Sequence, residues 1–127
     1  YGLKEESKVH YINIETLEKS CVKAIDKTLA DKTEAIVCAT NSITVTCLRY
    51  LQKLHIRIPE DITIMGFDGG SEFGFFNSPI SFMIQPTEKI ARKSIEVLIN
   101  QLQNDDGMTI QIEAEGVIQE HLPPTQN

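Results

Sequence analysis

Apolar residues recur along the chain in two rhythms, short continuous runs that fit strands and wider spacings that fit helices. Val9 to Ile14 is rich in β-forming residues, and from Glu15 onward Leu17, Cys21, Ala24, Ile25, Thr28 and Leu29 return at helical spacing, so a strand followed by a helix is expected. Asp31-Lys32-Thr33 breaks that pattern. Ala35 to Ala39 is then continuously apolar, which predicts a central parallel strand covered on both faces. Ser42 to Leu54 carries Val45, Cys47, Leu48, Leu51 and Leu54 on one side and Arg49, Gln52 and Lys53 on the other, predicting a second helix. After Pro59-Glu60-Asp61, the run Ile62 to Phe67 reads as another strand, ended abruptly by Asp68-Gly69-Gly70. Strand, helix and strand in that order call for a right-handed parallel crossover.

Ser71 to Pro79 sets Phe73, Phe75 and Phe76 among glycine, asparagine and proline, and is expected to be a loop or one irregular helical turn whose apolar surface needs cover. Ser81 to Gln85 is a brief strand. Pro86 opens a long helix with Ala91, Ile95, Leu98, Ile99 and Leu102 in a stripe, closed by Asn104-Asp105-Asp106-Gly107. Thr109 to Ile118 alternates partly, as an edge strand does, and the tail with Pro123-Pro124 should fray. With no internal repeat and no linker rich in glycine, serine or proline, one compact α/β unit with a mainly parallel sheet is the simplest account.

Composition supports that picture. The 127 residues are 41% hydrophobic and 24% charged, enough for an aliphatic core. The formal net charge of -6, without a lysine or arginine run, argues against binding of a phosphate backbone by this stretch. Cys21, Cys38 and Cys47 are odd in number, lack metal-ligand spacing and fall inside predicted elements. Reduced, buried thiols and a cytoplasmic location are therefore expected. No apolar run reaches membrane-spanning length, and Tyr1 to Glu6 lacks the basic start and apolar stretch of a signal peptide.

Ligands of parallel α/β sheets bind outside the carboxyl ends of the strands. Two such ends carry polar residues. Thr40-Asn41-Ser42 lies between a strand and a helix, where it can cap the helix or reach a ligand. Asp68 can accept hydrogen bonds from adjacent sugar hydroxyls or from an amine, or can start a loop as an Asx turn. Catalytic patterns are absent: His10, His55 and His121 lie on different elements, and there is neither a Gly-x-Ser-x-Gly elbow nor a phosphate-cradling glycine loop after a strand. No catalytic residue, metal or cofactor is expected.

Ala35 to Asn41, the helix end Leu51 to Ile58 with Pro59-Glu60-Asp61, and the strand Ile62 to Asp68 together resemble the lactose-repressor (LacI/GalR) family of bacterial transcription regulators. The combination of Pro-Glu-Asp with Gly-Phe-Asp is the specific part. Ile84-Gln85-Pro86 is similar to the family's passage into its last long helix, Gly116 to His121 is similar to its closing strand, and the likeness extends from about Thr33 to His121. The resemblance implies a three-layer sandwich, the C-terminal subdomain of a periplasmic-binding-protein-like fold of type I. On that scheme residues 1–85 and 109–122 form the subdomain, and the helix 86–104 packs in the N-terminal subdomain, which this chain lacks together with the helix-turn-helix headpiece.

By the same resemblance Asp68 matches the aspartate that binds effector hydroxyls, Thr40 and Asn41 take the Asn-Asp places of the family's Ala-Asn-Asp turn, and Gln85 joins the effector set. Only Asp68 is unchanged. His55 stands in place of a glycine, and Gln119 in place of an arginine. Phe73, Phe75 and Phe76, with Thr44 and Leu48, are expected at a homodimer face, the alternative being that the aromatics fold onto the chain's own core. The expected function is effector sensing and dimerisation within a DNA-binding regulator, with a small, carbohydrate-like effector as partner. DNA would be contacted only through the headpiece, and no membrane is involved. The alternatives are a periplasmic sugar-binding protein of the same fold and, from another class, a small α/β enzyme.

Overall fold

The computed structural model describes residues 8–69, 73, 75, 76, 78–104 and 117–121. Helix α1 spans Leu17–Ala30, strand β1 Ala35–Val37, helix α2 Asn41–Lys53, strand β2 Thr63–Phe67, strand β3 Ile80–Ile84, helix α3 Thr87–Asn104 and strand β4 Val117–His121. The strands form one sheet in the order β1-β2-β3-β4, parallel across the first three, with β4 antiparallel to β3. The expected α/β class with a mainly parallel sheet is therefore observed.

Side-chain alternation divides the sheet into two unlike faces. Ile36, Ile64, Gly66, Ile80 and Phe82 share one face, because Ile36 is in register with Ile64 and Gly66 with Phe82. Ile64, Ile80 and Phe82 are buried there in one core with Cys47, Leu48 and Leu51 of α2 and Cys21 and Ile25 of α1. Gly66 is the point of closest approach: a Cβ there would stand 2.7 Å from Thr44 Cγ2, so the strand meets α2 only because that side chain is missing. The opposite face carries Ala35, Val37, Thr63 and Met65. Val37 is 74% exposed, and no described helix packs extensively across this side. The described residues thus supply the sheet and one helical layer of the sandwich.

Several expectations need correction. Val9 to Ile14 is no strand: the segment pairs with no described strand, and residues 14–16 form a single 3-10 turn. Asn13 caps that turn by accepting from the Glu15 amide at 2.9 Å. A run of β-formers becomes a strand only when a ladder partner satisfies its backbone. Ala35 to Ala39 was expected in the centre, yet β1 is a short edge strand whose Ala35 and Val37 face outward exposed. The closing strand expected over Thr109 to Ile118 is described only from Val117, and residues 109–116 lie outside the described set, as do Gly70, Ser71, Glu72, Gly74, Asn77 and the tail from Leu122.

Local chemistry explains where the elements stop. Thr40 caps α2, its side-chain oxygen accepting from the Ile43 amide at 3.2 Å. The end of α2 turns through His55, whose φ of 58° is a left-handed conformation that glycine adopts without cost. Asp61 then closes the turn after Pro59. It accepts from the Arg57 backbone amide at 2.9 Å and holds the guanidinium through Nε at 2.9 Å and Nη2 at 2.6 Å. Those hydrogen bonds from Arg57 bring the Asp61 carboxyl down to about 2.

All three cysteines are free and buried. A hydrogen bond to Cys38, and then burial, push the Cys47 thiol up, and burial does the same to Cys21, so both remain neutral.

Candidate functional site

The carboxyl ends of β1, β2 and β3 open on one side of the sheet, and the polar residues there converge on Asp68. The aspartate follows β2 directly and has φ 62°. Asp is one of the few side chains that enter the left-handed region readily, and the kink turns its carboxylate away from the strand path. Two backbone bonds hold this conformation. The Asp68 amide donates to the Met83 carbonyl at 2.7 Å, extending the β2–β3 ladder, and the Asp68 carbonyl accepts from Asn41 Nδ2 at 2.9 Å. The carboxylate is oriented from just past the end of β3, where Gln85 Nε2 donates to Asp68 Oδ2 at 2.8 Å.

Of the four residues expected at an effector site, three are thereby connected, Asn41 and Gln85 both bonding to Asp68. Thr40 is adjacent in sequence, but its hydroxyl oxygen serves the helix cap, and its carbonyl accepts from the Thr44 hydroxyl at 2.7 Å. The two readings left open for Thr40-Asn41 divide between the residues: the first caps α2, and the second ties α2 to the end of β2. Asp68 is exposed and Gln85 half-buried, so the carboxylate remains open to solvent with acceptor capacity beyond its bond to Gln85.

Next to Gln85 lies an open depression of about 500 Å³, lined by Gln85, Pro86, Thr87, Glu88, Lys89 and Arg92. Arg92 bonds to Glu88 across one helical turn at 3.2 Å. Of these only Gln85 was expected at the site from the sequence. The signal of the others was the polar face of the last helix, which starts at the strand end where a ligand would sit.

The five residues expected at a dimer face are placed differently. Phe73 is fully buried and packs edge to face on Phe82, with ring centroids 4.9 Å apart and planes at 81°. A Cβ on Gly69 would run into the Phe73 ring, so that glycine admits it to the core. Phe76 is buried too, as are Thr44 and Leu48 of α2 beneath the sheet. These four side chains are already covered by their own chain, which corrects the expectation for them. Phe75 alone of the set points outward, 86% exposed.

Among the described residues no group of three or more His, Cys, Asp or Glu side chains could hold a metal ion, and no helix is long and apolar enough to cross a membrane.

Residues 3–119 match the family described as periplasmic binding protein-like domain. A relative from Aliivibrio salmonicida, the HTH-type transcriptional repressor PurR, is 26% identical over 87 residues, 67% of this chain and 26% of the relative. The ribose operon repressor of Haemophilus influenzae is 26% identical over 97 residues, 75% of this chain and 29% of the relative. Among solved structures, the transcriptional regulator CelR in complex with cellobiose superposes with a TM-score of 0.69 at 23% identity, covering 80% of this chain and 32% of that one. The chain thus spans between a quarter and a third of the length of these proteins. Matched over nearly its whole length, the chain belongs to the periplasmic binding protein-like domain family, and the relatives it is similar to are transcription regulators.

Proposed function

We propose that this chain is the effector-sensing part of a LacI/GalR-type regulator, and that its effector is a small carbohydrate or a related polyhydroxyl compound held by Asp68. The observation that carries the reading is the convergence on Asp68, a solvent-exposed carboxylate in a left-handed kink, oriented by Gln85 and braced by Asn41. Adjacent hydroxyls donate to a carboxylate without any change of protonation, and a braced acceptor loses little freedom when they do. Ribose in one relative's name and cellobiose in a neighbour's complex support a carbohydrate for this chain.

On this reading α3 and the sheet face around Val37 belong against the N-terminal subdomain and the other parts of the regulator. That accounts for the exposure of Ile95, Leu98, Ile99 and Leu102. Operator DNA is bound by a helix-turn-helix headpiece outside this sequence, in the cytoplasm, where free buried thiols persist. Two copies pair around Phe75. The effector acts by favouring one arrangement of the two subdomains over the other.

Operator release by the complete regulator, measured against a panel of mono- and disaccharides including ribose and cellobiose, tests this. At least one sugar is expected to change operator affinity, and Asp68→Ala to abolish that response while leaving sugar-free DNA binding intact. A response that survives Asp68→Ala unchanged would remove Asp68 from the site.

A further inference from the structure

Cys38 and Cys47 meet where the end of β1 packs on α2. The Cys38 amide donates to the Met65 carbonyl at 2.8 Å, which continues the β1–β2 ladder one residue past Val37. Alternation then turns the Cys38 side chain to the face of Ile36 and Ile64, against which α2 lies. From the other side Cys47 belongs to the buried stripe of α2, with Thr44, Leu48 and Leu51. Both sulfurs enter one core and are hydrogen-bonded to each other, the Cys47 thiol donating. Accepting that bond lowers the Cys38 thiol, against the opposing effect of burial, while Cys47 stays protonated. A sulfur with thiolate character thus touches a second thiol, and thiolate character is what an oxidant meets first. Cys38 is only 3% exposed, but its neighbours Val37 and Ala39 are open to solvent, and β1 is a short edge strand. Such an edge opens locally without unfolding the core. Hydrogen peroxide, little larger than water, needs no wider passage.

We infer that Cys38 and Cys47 form a modification site, a thiol pair that hydrogen peroxide converts to a disulfide, with Cys38 as the attacking sulfur and Cys47 as the resolving one. The Cys38 sulfur attacks one peroxide oxygen and the O–O bond breaks. The departing hydroxide takes up the proton that Cys38 released and leaves as water, so Cys38 becomes a sulfenic acid. The Cys47 sulfur then attacks the sulfenic sulfur. The S–O bond breaks, the S–S bond forms, and the hydroxyl group leaves with the Cys47 proton as a second water. Two thiols have then given up two electrons, and the peroxide is reduced to two waters. The new bond closes a loop that carries Thr40 and Asn41, and Asn41 Nδ2 braces the Asp68 carbonyl. Oxidation therefore cross-links the strand–helix turn on which that brace is built.

Treatment of the folded 127-residue chain with hydrogen peroxide, followed by unreduced tryptic mapping in a mass spectrometer, tests this. The tryptic peptide from Thr33 to Arg49 holds Cys38 and Cys47 without Cys21, so its mass reports the pair alone. It should become lighter by two hydrogens and regain them on treatment with dithiothreitol, while Cys21 remains a free thiol. Cys21→Ser should show the same loss. Cys47→Ser keeps the attacking sulfur without its partner, and should stop at a Cys38 sulfenic acid that dimedone traps. Cys38→Ser should form no bridge and trap no dimedone at Cys47. The unaltered chain decides the matter even where a variant folds poorly. A Thr33–Arg49 peptide that stays reduced, that bridges to Cys21, or that gains oxygen without losing the two hydrogens would overturn the pair.

Discussion

α2 and α3 are both amphipathic, and their apolar stripes look alike in sequence, yet one is sealed and the other stands in water. Cys47, Leu48 and Leu51 of α2 are at most 2% exposed, whereas Ile95, Leu98, Ile99 and Leu102 of α3 range from 47% to 77%. The difference lies in what each helix meets. α2 crosses between β1 and β2 and lies against the face holding Ile64 and Gly66, whereas α3 leaves the sheet at its carboxyl end. A stripe at helical spacing therefore announces that a partner is needed without naming it.

The largest effect should separate the two helices outright. Leu51→Ala is expected to cost about 2 to 5 kcal/mol. Leu98→Ala, in the same chain, should cost less than about 0.5 kcal/mol, since its side chain is already half in water. Urea denaturation of both variants checks this, and equal losses would mean that α3 is covered in solution after all. The close approach that seals α2 can be probed at Gly66. Gly66→Ala should destabilise by about 1 to 3 kcal/mol, because the new methyl meets Thr44 Cγ2. Adding Thr44→Ser removes that methyl while keeping the hydroxyl bonded to Thr40, so part of the loss should be recovered.

A smaller change of opposite sign is expected at the end of α2. His55 has φ 58°, and His55→Gly should raise the thermal midpoint by relieving up to about 1 kcal/mol of strain. The smallest effect concerns the turn that follows. The Asp61 carboxyl, near 2 in the folded chain, lies below its ordinary value of about 4. A depressed carboxylate contributes stability that is present above the ordinary value and is lost as pH falls from about 4 toward 2. Urea midpoints should therefore drop slightly more over that window in the unaltered chain than in Asp61→Asn, the effect being small because Arg57 and Asp61 are exposed.

The comparison also shows what the sequence made legible. The strand from Ile62 to Phe67, the helices on either side and the polar strand ends were readable, because period and punctuation are local properties. The fold family was readable from Pro59-Glu60-Asp61 together with Gly66-Phe67-Asp68. What failed depended on partners. Val9 to Ile14 has the composition of a strand and no ladder, and β1 has the apolar run of a central strand but lies at the sheet edge. Phe73 and Phe76 read as surface in need of cover, and the cover proved to be their own chain. At the site, Asp68 was legible as a strand-end carboxylate. Its left-handed backbone, its bond to Met83 and the brace from Gln85, 17 positions away, arise only when β2 and β3 lie side by side.

The central claim is that Asp68 receives the effector. Its most direct test is calorimetric titration of the complete regulator with the sugar that alters operator binding, for the unaltered protein, Asp68→Asn and Asp68→Ala. Removing a charged acceptor that bonds hydroxyls costs about 1.5 to 3 kcal/mol, or roughly ten- to a hundredfold in affinity. Asp68→Ala should weaken binding by at least that much and Asp68→Asn by less. Affinities that agree across all three proteins would contradict the account.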